Sequence, residues 1–234
     1  MFDIIRQIYL NSIFYDKKIS SKVVSDLKYK SSPYLLSSIV KIKTKKFDIE
    51  NFLYDNFWTS KKLNQKQLQK LNNFYWLFSL DLKSSNESVQ MVIKNWIEKN
   101  YKYNSKNWDF EITSKRIISW LSNTQLTYDS GINQYQKDFN STIHKQTFHL
   151  INQVDGERKL KNKLRGVAAI ILVGLSYKNE KNFTLKGLEN LKKIIKYTFD
   201  NNGFLKSRNI KSSIFFLKYL ILIREWFKES QSEI

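Results

Sequence analysis

The chain has 234 residues, 40 Lys and Arg against 21 Asp and Glu for a formal charge of +19, and 41% hydrophobic and 15% aromatic content. That is enough apolar material to pack one large domain or two small ones, and it excludes a chain disordered throughout. One proline and six glycines exclude a turn-rich all-β protein, and the lack of cysteine excludes disulfides, a thiolate nucleophile and Cys-based zinc or iron–sulfur sites.

Asp3 and Arg6 interrupt the apolar run of residues 1–10 (MFDIIRQIYL), which is therefore no signal-peptide core. No later stretch approaches the roughly 18 uncharged apolar residues of a spanning helix. No membrane span is expected, and the chain reads as cytoplasmic or as lacking its own export signal. In residues 1–50, YKSSPY (29–34) punctuates the pattern and VKIKTKK (40–46) alternates like a short strand or extended segment; these residues read as an N-terminal lead-in.

Residues 51–234 form a helical domain. Leu68, Leu71, Tyr75, Phe78 and Leu82 recur at steps of three and four and predict one helix with a single core face. Ser84, Ser85, Asn86 and Glu87 offer a cap for the next helix, which places Val89, Val92, Ile93, Trp96 and Ile97 on one stripe and ends at Asn100. After a loop over 101–108, a shorter helix covers 112–121 and a longer one about 132–153. The helix at about 159–177 contains the most apolar run, VAAIILVGL (167–175), where Ala168, Ala169 and Gly174 permit a close neighbour; it is the expected centre. Helices over 183–199 and 210–229 complete the set, separated by Asp200, Asn201, Asn202 and Gly203, which suit a C-cap and a positive-φ turn. The predicted fold class is all-α, built of antiparallel helical hairpins. No tetratricopeptide, HEAT or ankyrin signature repeats, which favours an irregular toroid over a regular solenoid.

The charge invites a polyanion: nucleic acid, an anionic surface or an acidic polysaccharide. Only six of the 40 basic residues are arginine, amid abundant Asn and Ile, the pattern of a lysine-rich drifted surface. Selection for bidentate phosphate or base recognition favours arginine, so nucleic acid is the lesser partner.

Several segments, read in order, resemble the N-terminal region of bacterial heparinase II/III family proteins: LNNFYWLFSLDL (71–82), NWIEKN (95–100), WDFEITSKRIISWLSN (108–123), QTFHLINQ (146–153), AAIILVGLS (168–176), and NGFLKSRNI (202–210) leading into LILIRE (220–225). The resemblance spans roughly residues 50–234. Ile210 departs from it, standing where the family has proline after Ser-Arg-Asn, and Phe204 or Leu205 occupies a place often held by histidine.

The resemblance implies part of an (α/α) toroid, incomplete, with further helices and a C-terminal β-sandwich expected from a longer protein. It implies a lyase that cleaves uronic-acid-containing polysaccharide by β-elimination, inactive as this piece alone. In that chemistry a base removes the weakly acidic C5 proton while hydrogen bonds or positive charge neutralise the adjacent carboxylate. The resemblance assigns neutralisation to a toroid Asn or His and proton transfer to a toroid Tyr, with a further His from the β-sandwich. It implies no cofactor and a partner that is an acidic, uronate-containing polysaccharide.

Substrate-binding candidates are Asn201, Asn202, Lys206, Arg208 and Asn209, where amides and a guanidinium fork converge with no acid inside the segment. Arg208 is the main anchor on this reading; the alternative is that the segment only ends one helix and caps the next. Arg116 and Trp120, one turn apart, form a groove wall or else pack in the core with an ion pair. His144 and His149, five apart on one helix, lack the i, i+4 spacing of metal ligands and read as packed or solvent-facing. No metal or cofactor motif is recognisable, and catalytic residues are not assigned. A non-enzymatic basic helical module and a helical scaffold that docks proteins through exposed aromatics remain as alternatives. The last helix, carrying Phe215, Phe216, Leu220 and Phe227, is expected to present an apolar face without its normal cover.

Overall fold

The computed structural model describes residues 2–20, 26–40, 58, 63–80, 85–178 and 180–232. Among these the chain forms eleven α-helices and no strand, only two isolated antiparallel bridges, Leu27 with Tyr177 and Phe199 with Leu205. The fold is all-α. In chain order the helices are α1 (Phe2–Leu10), α2 (Ile13–Ile19), α3 (Pro33–Val40), α4 (Gln65–Asn72), α5 (Asn86–Asn100), α6 (Phe110–Ser122), α7 (Thr124–Thr127), α8 (Asn133–Gln153), α9 (Leu160–Ser176), α10 (Lys181–Thr198) and α11 (Ile210–Glu229). No described helix is long and apolar enough to cross a membrane.

Short polar side chains set many of the starts. Ser12, Ser85, Asp109 and Asn209 each accept a first-turn N–H of the helix that follows, and Asn64 with Gln67 forms a reciprocal capping box on α4. The start of α5 therefore lies at the serine run expected of it.

The single helix expected over 68–82 is instead broken. Helix α4 stops at Asn72, Phe74 adopts a left-handed backbone (φ 57°), and Tyr75–Ser79 continues as a 3-10 turn. Leu82 lies outside the described residues. The physical reason is aromatic packing: the turn drives the Phe74 ring between Trp58 (centroids 5.5 Å), Trp96 (6.0 Å) and Trp120 (5.1 Å). Burying that ring among others outweighs the cost of a left-handed non-glycine residue.

Helix α9 is the hub. Every residue from Leu164 to Ser176 is buried, and the helix packs against α6, α8, α10 and α11, as an element apolar all round must. Trp76, Trp96 and Trp120 are buried in the same core. The residues between α9 and α10, 177–180, are too few for anything but an antiparallel pair. Glycine permits the closeness of that pair: a Cβ on Gly174 would meet the backbone and hydroxyl of Thr184, and one on Gly187 would meet Ile171.

The N-terminal lead-in is helical where described and joins the body. Leu36 of α3 is buried in the main core, and α3 packs on α6 and α11. Helix α2 docks on α8 through Asp16 and Lys145, 2.7 Å apart, with a satellite core of Leu10, Tyr15, Ile19 and Trp108. Of the segment 40–46, expected to be a short strand or extended, Val40 instead ends α3; residues 41–46 and the boundary expected at residue 50 lie outside the described residues.

On α11 the apolar surplus is placed differently from expectation. Phe216 and Phe227 are buried and Phe215 and Leu220 are half-buried. The exposed stripe is Ile210, Ile214 and Leu217, at helical spacing.

Gly174→Ala tests the α9–α10 approach, because the atoms it meets are backbone as well as side chain. It is expected to cost about 1–3 kcal/mol by forcing the helices apart, read as a shifted denaturation midpoint with unchanged slope. Ser176→Ala on the same helix, whose buried hydroxyl has no hydrogen-bond partner, is expected to be nearly neutral.

Candidate functional site

The α8–α9 connection is a 3-10 turn, Val154–Gly156, followed by Glu157, Arg158 and Lys159, and three neighbouring cavities share it. The largest of the three, about 760 Å³, is walled by Arg158 and Lys159 from this loop, Lys161 and Asn162 from the first turn of α9, and Tyr197 and Thr198 from the end of α10. Leu205, Lys206 and Ser207 from the α10–α11 connection and Ser212 and Phe216 from α11 complete it. Among the described residues, four cations and no carboxylate line this space. Helix α9 begins here; no side chain caps its first-turn amides, and the Glu157 carboxylate accepts the N–H of Lys159 at 2.7 Å just ahead of them.

Two lining groups have unused hydrogen-bonding capacity. Arg158 is exposed and, among the described residues, makes no ion pair or hydrogen bond, unlike the other five arginines. The Thr198 hydroxyl is buried with no partner among the described residues. Lys206 is partly committed, its Nζ donating to the Lys196 carbonyl at 3.1 Å.

Of the substrate-binding candidates chosen from the sequence, only Lys206 lines this cavity. Asn201 and Asn202 are exposed at the tip of the turn, where Gly203 takes the expected positive φ (78°). Asn209 is occupied as the cap of α11, accepting from Ser212 N–H at 2.9 Å. Arg208 is not free of acid: its guanidinium is 2.7 Å from Asp200 and lies over the Phe204 ring. Asp200 also accepts the N–H groups of Phe204 and Asn202. The Phe204 N–H leads in holding its carboxyl low, with Arg208 adding to it. The expected absence of local acid is thus corrected, because the residue just before the Asn-Asn-Gly turn folds back to close it.

Arg116 and Trp120 are corrected as groove residues, since both are fully buried. Among the described residues Arg116 makes no ion pair either. It donates to the carbonyls of Asn72 (2.8 Å) and Asn107 (3.0 Å), to Gln146 Oε1 (3.1 Å) and to Thr113 Oγ1 (3.2 Å), and it stacks 4.0 Å from the Trp96 ring.

Both histidines are packed. His144 bonds the Asn140 carbonyl through Nδ1 and Glu180 through Nε2. His149 lines the second cavity, of about 670 Å³, together with Arg6, Tyr103, Asp109 and Arg158. Its Nε2 faces the Trp108 carbonyl at 3.0 Å and must carry the proton, so Nδ1 accepts from the Tyr15 hydroxyl at 2.7 Å. Burial pulls this imidazole down to about 4, with the Trp108 carbonyl opposing and Arg116 and Arg6 reinforcing.

No protein-family model, curated protein or solved structure matches this chain.

Chemically, the cavity offers charge-assisted donors, hydroxyls, one exposed aromatic edge at Tyr197 and no negative charge, a set suited to a polyhydroxylated acid. Among the described residues no group of three or more His, Cys, Asp or Glu stands placed to hold a metal ion. Sequence reasoning missed Arg158, Lys159 and Lys161. The available signal was the basic run ERKLKNK (157–163) directly ahead of the most apolar helix.

Arg116→Ala removes a cation and leaves two carbonyls and an amide unpaired in the interior. It is expected to cost about 4 kcal/mol and to lower Tm by on the order of 10 °C, followed by thermal unfolding.

His149 supplies a pH test. Above its ordinary value of 6.5 both the folded and the unfolded chain hold the ring neutral; between 6.5 and about 4 only the unfolded chain takes up the proton. Stability therefore falls with pH across that window, by up to roughly 3 kcal/mol. Glu111 acts lower: burial raises its carboxyl, but Lys115 and Arg165 outweigh that and hold it below 4.5. His149→Gln keeps one acceptor and one donor without the titration, and its Tm is expected to fall less between pH 6.5 and 4.5.

Proposed function

We propose that this chain is the toroid part of a heparinase II/III-like lyase and that the cavity between the α8–α9 loop and the start of α11 binds the carboxylate of a uronate-containing polysaccharide. The supporting observation is that, among the described residues, the Arg158 guanidinium has no partner and shares a space with Lys159, Lys161 and Lys206 and no carboxylate. A guanidinium fork grips a carboxylate bidentately. The helix contacts agree with a toroid: α9 touches both α6 and α11, and α8 and α10 pack on α9, as when inner helices follow one another and outer helices join them. On this reading the piece binds and orients the acid; the four cations neutralise the carboxylate whose charge would otherwise oppose removal of the C5 proton.

The anchor moves from Arg208 to Arg158, because Arg208 is neutralised by Asp200 and Arg158 is not. Titration of the full chain with an unsulfated oligouronate at low salt is the test. Arg158→Ala is expected to weaken binding by about tenfold or more, the equivalent of one charge-assisted hydrogen bond. Arg158→Lys should recover part of the loss, and Arg208→Ala should change affinity far less. Duplex DNA bound more tightly than oligouronate of equal charge, with a steep salt slope, would replace the carbohydrate reading with a nucleic-acid one.

A further inference from the structure

The first two helices carry a surface that neither the core nor the cavity explains. Ile4, Ile5 and Ile8 of α1 and Ile13 and Phe14 of α2 are exposed by 59% to 76%. Five large apolar side chains are exposed within eleven positions, a density unlike singly scattered surface residues, and Ile4 and Ile8 line one shallow apolar hollow. This surface is not an undocked core face, because the opposite side of the same helices is already anchored. Leu10, Tyr15 and Ile19 are buried, the Tyr15 hydroxyl bonds His149, Asp16 pairs with Lys145, and Arg6 bonds Gln153. Turning the isoleucines inward would break all of those contacts.

The charge around the patch selects its partner. Lys17 and Lys18 are exposed three to five residues beyond Ile13 and Phe14, and Asp16, the acid of α2, is taken by Lys145. The whole chain carries +19. Apolar side chains beside exposed lysines on short helices form an in-plane amphipathic wedge, and helices of nine and seven residues are too short to cross a bilayer of roughly 30 Å. We infer that α1 and α2 form a docking surface for an anionic lipid bilayer, with the isoleucines and Phe14 entering the headgroup–acyl boundary and Lys17 and Lys18 meeting lipid phosphates. The proposal is independent of the carbohydrate reading, which concerns another set of residues.

Co-sedimentation of the full chain with large unilamellar vesicles tests it, comparing equal parts phosphatidylglycerol and phosphatidylcholine with phosphatidylcholine alone. Binding is expected to favour the anionic vesicles by about tenfold or more. The double variant Ile8→Ser with Phe14→Ser should lose about tenfold or more of that binding, because each buried apolar side chain contributes to insertion. Its Tm and oligouronate affinity should stay unchanged, since both positions are exposed. Lys17→Glu with Lys18→Glu should abolish the lipid preference. The inference is overturned if the chain ignores anionic vesicles, or if the Ser variant binds them as well as the parent does, which would leave only diffuse surface charge. It is equally overturned if the parent dimerises through this face, becomes monomeric in the Ser variant and binds no lipid.

Discussion

The buried guanidinium of Arg116 is the interaction on which most of the architecture depends. Where α4 ends, its last carbonyls lose their helical partners, and one of them, Asn72 O, is taken by Arg116 Nη1. The same guanidinium reaches the 101–109 connection through Asn107 O and α8 through Gln146, and it stacks on Trp96 of α5. Four separate segments thus converge on one planar group. Burial pulls its pKa well below the usual guanidinium value, with Asp109 opposing, so the surrounding carbonyl dipoles carry the compensation that a carboxylate usually supplies. Lysine cannot replicate this, because a compact ammonium has neither the fork nor the flat face.

From that junction the polar side of α8 becomes a strut. Lys145 receives Asp16 of α2, Gln146 receives Arg116, and His149 receives Tyr15 while donating to Trp108 O. Successive turns of one helix therefore fix the N-terminal pair, the central junction and the 101–109 connection. The same helix then runs into the Val154–Gly156 turn, so the position of Arg158 is set by contacts made well inside the protein. Beside it, α9 is held by close approach to α10 and by apolar contact on every side. The cavity thus sits between two rigidly placed helix termini, the end of α10 and the start of α9.

The helices were legible because their apolar residues recur at the helical period and serines, asparagines or glycine mark their ends. The α11 bounds, the Ser85 cap and the positive φ at Gly203 follow from local chemistry of that kind. The break at Phe74 was not legible, because the period of three and four runs through it unaltered and the cause lies in rings brought from four separate places in the chain. The site was hardest to read. Arg208 looked free because the residues around it up to Asn201 carry no acid, yet Asp200 reaches it only once the chain reverses. Arg158 sat in a run of basic residues that reads as solvated surface, and nothing in its neighbours announces that it is left unpaired.

The six arginines separate structural from available charge more sharply than the net charge does. Arg116 holds the centre, Arg165 joins Glu111 to the Tyr219 hydroxyl, Arg6 ties α1 to Gln153, and Arg208 and Arg224 pair with Asp200 and Glu225. Each meets a planar or paired acceptor, which is what a guanidinium does better than an ammonium. The lysines supply most of the +19, and as hydrated point charges they attract any polyanion without much discrimination. A surface charged in this way cannot by itself identify a ligand. Discrimination requires a fork that is not already satisfied, and among the described residues Arg158, whose backbone lies between two helix termini with three cavities opening onto it, is the guanidinium without a partner.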